Sequence, residues 1–530
     1  MMHSQKVRKG MFSSFRQKPE SSILNKLQTH GPRLCATAKA KAARGRRGDD
    51  FLRNHQTCQG EVTMHYTRKS GVLLHPTSLP GHGGIGSLGN EAVKFIDFLH
   101  SAGQSLWQIL PLGPTGHGNS PYACYSAFAG NPLLINLELL VEDGDLVSSD
   151  LCEDLPADRV DFQLVAGYKN TLLRKAASSY FAAGDPQRTM EFNRFCEAHP
   201  WLHDFAMFMA LKEHYHGKSW SAWPDEVARR KSSKLAMVSN ELAGQINEHK
   251  YMQWQFFRQW RKIKEYANRH GIEIIGDIPI FVAYDSVDVW AHPDLFHLDE
   301  KGRPTVVAGV PPDYFSKTGQ LWGNPLYNWE TMAYHGYDWW VERFRSALDL
   351  CDLLRVDHFR GFEAYWEVPA AEKTAVNGRW VKGPGEALFH ALFDSLGKVP
   401  IIAEDLGVIT PDVEALRDKF SFPGMKILQF AFGSGPHNPY LPHNHVRDSV
   451  VYTGTHDNDT TVGWFCSLSK LEKQAVCSYL NVSEDDISWN LIRAALVSVA
   501  DTVILPLQDI LELPGDARMN FPGTSSGNWT

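Results

Sequence analysis

Several apolar runs in this 530-residue chain end on ionisable residues. Asp277 lies in "IIGDIP", Arg355 and Asp357 in "LLRVDHF", Glu404 in "IIAEDLG", and His456 with Asp457 in "YTGTHDND". A charge at the end of a buried strand is costly without a partner or a task. One such acid is ordinarily a helix cap or a salt-bridged loop start, but acids at separate strand ends point to a shared site. Two chemistries fit. Glycoside chemistry needs an ionised carboxylate plus a carboxylic acid of raised pKa. Arg355 shares a strand face with Asp357 and would keep it ionised. Glu404, beside the like charge of Asp405, is then the candidate acid. A divalent-metal site of enolase type is the rival. It wants a base at a later strand end, whereas Lys426 opens its strand, and Arg355 would repel the cation. The glycoside reading is favoured, with no metal.

These groups converge only if their strands open on one mouth. Apolar runs at 71–79, 104–114, 272–282, 353–359, 400–407, 425–432, 449–457 and 502–509 alternate with helical patterns. In "NEAVKFIDFLHSAG", Ala92, Phe95, Ile96 and Leu99 recur at helical spacing and Gly103 ends the run. "YMQWQFFRQWRKIKEYANRHG" predicts a helix stopped by Gly271. Nearly continuous apolar strands separated by helices are buried on both faces, which indicates a parallel sheet. Eight of them predict a (β/α)8 TIM barrel whose active site surrounds the carboxyl ends of the strands. A doubly wound open sheet is the rival, but no Gly-x-Gly-x-x-Gly turn follows any strand. The stretch at about 120–250 reads as a large, mainly helical insertion after the second strand. After the third strand, the chain from 283 to about 337 reads as loop-rich.

Composition narrows the partners. The 16 Trp, 17 Tyr and 28 Phe make an aromatic-rich chain, suited to stacking on flat apolar ligand faces but also to ordinary packing. No apolar run approaches the ~18 residues of a membrane span. The eight cysteines contain no Cys-x-x-Cys pair, which argues against a zinc site or a disulfide framework. Residues 1–48 carry a net charge of +11 and the remainder −18. The basic, acid-poor start reads as an organelle transit peptide and linker over residues 1–60, ahead of a catalytic domain at 61–530. A nucleic-acid-binding arm and a mis-called start codon are the competing readings, and the acidic body argues against nucleic acid or an anionic membrane as partner.

Longer motifs are more specific. They include "GVLLHPTSLPGHGGIGSLG", "SPYACYSAFAGNPLLI", "GDIPIFVAYDSVDVWAHPDLF", "GVPPDYFSKTGQLWGNPLY", "RVDHFRGF", "AEDLG", "THDNDT" and "ARMNFPGT". Together they resemble the 4-α-glucanotransferases (amylomaltase or disproportionating enzyme), a glycoside hydrolase family of the α-amylase clan. The resemblance implies that Asp357 is the nucleophile of a glucosyl-enzyme intermediate, Glu404 the general acid/base and Asp457 a third carboxylate gripping sugar hydroxyls. It also implies that Arg355 and His456 orient the nucleophile and bind the sugar at the cleavage point. Asp277, Asp313, Trp322, Tyr122 and Asn520 would line sugar subsites. The segment 309–327 would be a lid, stiffened by Pro311 and Pro312, bending at Gly309, Gly319 and Gly323, and presenting Tyr314 and Phe315. A surface loop packed on the barrel is the alternative. By the same resemblance no cofactor is needed and the partners are maltooligosaccharides and starch-type α-1,4-glucans; with the basic start as a transit peptide the location is a plastid, and otherwise the cytoplasm.

Two other functions remain compatible with these residues: a hydrolase of the same clan, and a truncated glucan-binding protein without catalysis. Family members continue past "SGNW" by about one helix. The expectation is therefore a barrel lacking its last outer helix, with exposed apolar surface and lowered stability.

Overall fold

The computed structural model describes residues 68–530, apart from 82, 152–154, 157, 313–315 and 525. The transit-peptide reading of residues 1–60 therefore falls outside the described residues, as do Asp313, Tyr314 and Phe315. Twelve strands are numbered here in chain order: β1 (Lys69–Leu73), β2 (Leu106–Gln108), β3 (Glu273–Pro279), β4 (Val306–Val310), β5 (Gln320–Pro325), β6 (Leu353–Asp357), β7 (Ala364–Pro369), β8 (Arg379–Lys382), β9 (Ile401–Ala403), β10 (Gly424–Ile427), β11 (Ser449–Tyr452) and β12 (Thr502–Pro506).

Eight of these, in the order β1-β2-β3-β6-β9-β10-β11-β12, form a closed barrel, with β12 pairing back onto β1. Every barrel pairing is parallel. The predicted (β/α)8 barrel is the observed fold. Its strands read as unbroken apolar runs because alternate residues serve two cores. Leu73, Leu106, Ile275, Ile402, Met425, Val450, Tyr452 and Ile504 fill the interior. Val72, Trp107, Ile274, Leu354, Ile401, Val451 and Val503 pack outward into the core that includes the helices. Gly71 is required where β1 approaches β2, since a Cβ there would lie 2.2 Å from the Leu106 carbonyl oxygen.

The helix Asn90–Ser101 buries the four predicted residues, Ala92, Phe95, Ile96 and Leu99. Gly103 and Gly271 take left-handed φ values of 69° and 72° beyond their helices, the conformation that ends a helix at least cost in glycine. Between β2 and β3 the chain is mainly helical, ending in the 27-residue helix Ala243–Arg269. That helix begins eight residues before the predicted segment (Ala243 against Tyr251). Two of its buried side chains are glutamines with backbone partners. Gln253 exchanges both hydrogen bonds with Gly130 at 2.8 Å, and Gln259 does so with Asn136 at 2.8 and 3.2 Å. Amide pairs of this kind satisfy the buried backbone of a non-helical segment. They tie down the chain that follows Tyr122.

One expectation is corrected. The stretch read as loop contains strands β4 and β5. They form a hairpin in an antiparallel sheet of order β5-β4-β7-β8. Gly309, Gly319, Gly323 and Pro325 lower the local strand signal. The pairing that stabilises β4, Val306 opposite Pro369, spans a sequence separation that no local pattern records. The segment taken for a lid loop is thus anchored on both sides by a ladder, and only its tip lies between the strands.

Candidate active site

The strand-end residues meet at one mouth, and the β3–β6 register explains how. Asp277 stands opposite Arg355 in the ladder. Arg355 Nη1 donates to Asp277 Oδ2 at 2.7 Å and Nη2 donates to Asp357 Oδ1 at 2.7 Å. The Tyr122 hydroxyl adds a third donor, also to Asp277 Oδ2, at 2.7 Å. Arg355 is 4 % exposed, so its charge is compensated by two acids rather than by water. Removing one partner from such a buried pair typically costs about 3–5 kcal/mol. The remaining Asp277 oxygen, Oδ1, is buried and has no hydrogen-bond partner among the described residues. Burial pushes the Asp277 carboxyl up, against the pull of Arg355. Asp357 is the acid of this trio with an accessible carboxylate, its side chain 31 % exposed.

Glu404 follows β9. Its Oε2 accepts from the His358 N–H at 2.7 Å and its Oε1 from the Leu406 N–H at 3.1 Å. His358, next to Asp357, has φ 53° and ψ 49°, a left-handed conformation uncommon outside glycine and enriched at functional turns. That turn lets one residue's backbone serve the acid while its neighbour's side chain serves as the other carboxylate. Glu404 is nevertheless pushed up to about 8, first by burial and then by the charge of Asp357, with Arg355 and the His358 N–H opposing. This corrects the expected cause. Asp405 contributes least because successive residues point to opposite sides. Its carboxylate pairs with Arg417 and accepts from the Met425 N–H at 2.7 Å.

The rest of the site is carried by loops. Asp457 Oδ1 accepts from Asn520 Nδ2 at 2.6 Å and lies 3.4 Å from His456 Nε2. Arg518 Nη2 donates to the Asp457 carbonyl at 2.5 Å. The His456 ring stacks on Tyr122, centroids 5.0 Å apart. Trp322, on β5, meets the His358 ring edge-on at 4.8 Å and Phe281 at 6.4 Å. Tyr122, Asp277, Trp322, Arg355, Asp357, Glu404, His456, Asp457 and Asn520 are therefore linked around the mouth. His358 and Trp529 are site neighbours that the sequence reading left unassigned. His358 stood inside the quoted "RVDHF" run, while nothing in "SSGNWT" marks Trp529 as a neighbour of His456.

A family model described as 4-alpha-glucanotransferase matches residues 74–530. The chain belongs to this family. A 4-alpha-glucanotransferase of Synechocystis sp. is 54 % identical over 469 residues, covering 87 % of this chain and 93 % of the relative. A chloroplastic/amyloplastic 4-alpha-glucanotransferase of Solanum tuberosum is 48 % identical over 490 residues, covering 91 % of this chain and 85 % of the relative. Among solved structures, an amylomaltase from Streptococcus agalactiae in complex with acarbose superposes with a TM-score of 0.85 at 41 % identity, covering 87 % of this chain and 94 % of that one. The family match begins at residue 74, directly after β1, and runs through the other eleven strands, so every site residue named above lies within it.

Proposed function

We propose that this chain is a retaining 4-α-glucanotransferase that moves segments of α-1,4-glucan from one maltooligosaccharide or starch chain to another. Family membership supports the activity, and the S. agalactiae amylomaltase, solved in complex with acarbose, supports a sugar-type ligand. The observation that carries the residue roles is the contrast between two acids: Asp357 held by Arg355, Glu404 raised to about 8.

In the first half-reaction an Asp357 carboxylate oxygen attacks the anomeric carbon. The glycosidic C1–O bond breaks, and the Glu404 proton passes to the leaving oxygen. Glu404 holds that proton at neutral pH because burial and Asp357 both disfavour its anion. Esterification of Asp357 removes that negative charge, so the Glu404 pKa falls and the same group becomes a base. In the second half-reaction it takes the proton of an acceptor 4-hydroxyl. The acceptor oxygen bonds to C1, and the Asp357 ester bond breaks. Asp457, steered by Asn520 and His456, grips hydroxyls of the sugar at the cleavage point, while Asp277 and Tyr122 hold Arg355 in place.

Transfer rather than hydrolysis requires that water be kept from the ester. The β4–β5 hairpin, with Trp322 beside His358 and Asp313, Tyr314 and Phe315 in its tip sequence, is proposed as the cover and as the stacking surface for the incoming glucan. The helical stretch at about 120–250 is proposed as the insertion subdomain that sets Tyr122. Residues 1–60 are proposed as a plastid transit segment. Their basic, acid-poor composition and the chloroplastic/amyloplastic potato relative support that reading.

Incubation of the purified protein with maltotriose tests the function. A ladder of products both shorter and longer than the substrate is expected. Shorter products alone would make it a hydrolase, and no products would leave a glucan-binding protein.

A further inference from the structure

Three aromatic rings meet beside the cleavage point, and one has no role in the account above. Trp529 stands against both members of the Tyr122–His456 stack, its ring centroid 6.0 Å from Tyr122 and 5.9 Å from His456. It is 7 % exposed, so it offers no open face to a sugar. It belongs instead to the apolar cluster of the barrel interior, together with Leu73, Leu110 and Tyr452.

Its backbone is held in a conformation that a bulky residue seldom takes, φ 65°. Such strain persists where surrounding contacts over-determine it, and it collects at functional sites. Here the contacts are explicit. The Trp529 N–H donates to the Met519 carbonyl at 2.8 Å. The Phe521 N–H donates to Asn528 Oδ1 at 3.0 Å. These bonds close a loop whose first arm carries Asn520 to Asp457 and whose second arm drives the indole behind His456.

We infer that Trp529 is a positioning residue for the transfer reaction. It acts as a wedge that fixes the ring plane of His456 in its stack on Tyr122, and through that ring the approach of His456 Nε2 to Asp457. The inference rests on the functional reading above. An indole that merely filled space would stabilise the fold without setting the rate.

The test begins with the parent protein on maltotriose, since failure there is failure of the functional reading and not of this one. Trp529→Ala and Trp529→Phe are then compared for steady-state transfer and thermal melting. Misplacement of site groups by about an ångström costs on the order of 100-fold in rate. Trp529→Ala is therefore expected to lose roughly 10- to 100-fold in kcat with KM changed little, and Trp529→Phe to recover most of it. The double variant His456→Ala/Trp529→Ala is expected to be no slower than His456→Ala, because the wedge acts through that ring. A kcat for Trp529→Ala within twofold of the parent would overturn the inference. So would a loss that simply tracks unfolding, additive effects in the double variant, or a Trp529→Phe variant that folds as the parent does yet is as slow as the alanine.

Discussion

The site has two halves built in different ways. Asp277, Arg355 and Asp357 sit on β3 and β6, adjacent barrel strands whose register fixes their spacing, and Glu404 follows β9 directly. Tyr122, Trp322, Asp457, Asn520 and Trp529 come from outside the barrel strands: from loops, from the hairpin and from the C-terminal segment, tied in by side-chain hydrogen bonds and ring stacking. On the proposed mechanism, the strand half holds the bond-making groups where backbone hydrogen bonds leave little freedom, and the loop half holds the groups proposed to admit, grip and exchange long sugars. Chemistry is placed on the rigid scaffold and selection on the parts that can adapt.

Substitutions should separate the halves, the strand half costing rate and the sugar-facing residues of the loop half costing affinity and the partition between transfer and water. Trp529, which is buried and acts through His456, is the exception and should cost rate. The largest effect is expected of Asp357→Asn, which keeps the shape and a hydrogen-bonding oxygen but removes the proposed nucleophile. Transfer should fall by roughly 10⁴-fold or more with the fold retained by circular dichroism. Residual disproportionation within tenfold of the parent would break the assignment.

Glu404→Gln comes next, with an expected loss of about 10²- to 10⁴-fold. Parent activity should decline as pH rises through about 8, where Glu404 gives up its proton, and that limb should vanish in the variant. Stability carries the same signature. The folded state holds a proton that the unfolded chain, near 4.5, releases. Unfolding free energy therefore falls as pH rises between those values, and Glu404→Gln should flatten that slope. Melting curves from pH 5 to pH 9 that run parallel for parent and variant would contradict the raised value.

The smallest effect belongs to the loop half. Trp322→Ala, at a residue 38 % exposed, should leave kcat within about tenfold while raising KM and the glucose released by water, consistent with a stacking contribution of about 1–3 kcal/mol. A change confined to kcat would place Trp322 with the strand half.

What could be read in the sequence follows the same division. The barrel strands were legible because burial on both faces writes them as continuous apolar runs, and their terminal acids stood out against that background. Arg355 and Asp357 were paired correctly from the two-residue repeat alone. Applied one residue further, the same repeat places Asp405 away from Glu404, against Arg417. The loop half was harder. β4 and β5 are short and interrupted by glycine and proline, and their partner β7 is distant in the chain. Trp529 lies in a Gly- and Ser-rich tail where no periodicity operates, and its meeting with His456 is a property of the folded mouth.

The central claim is a covalent bond between sugar and Asp357, formed and broken under Glu404. Glu404→Gln can be incubated with α-maltotriosyl fluoride, whose leaving group needs no acid, and the peptides read by mass spectrometry. A maltotriosyl ester on the peptide containing Asp357, absent when Asp357→Asn is added, is the predicted result. An adduct on any other residue, or consumption of the fluoride with inversion at the anomeric carbon, would contradict it.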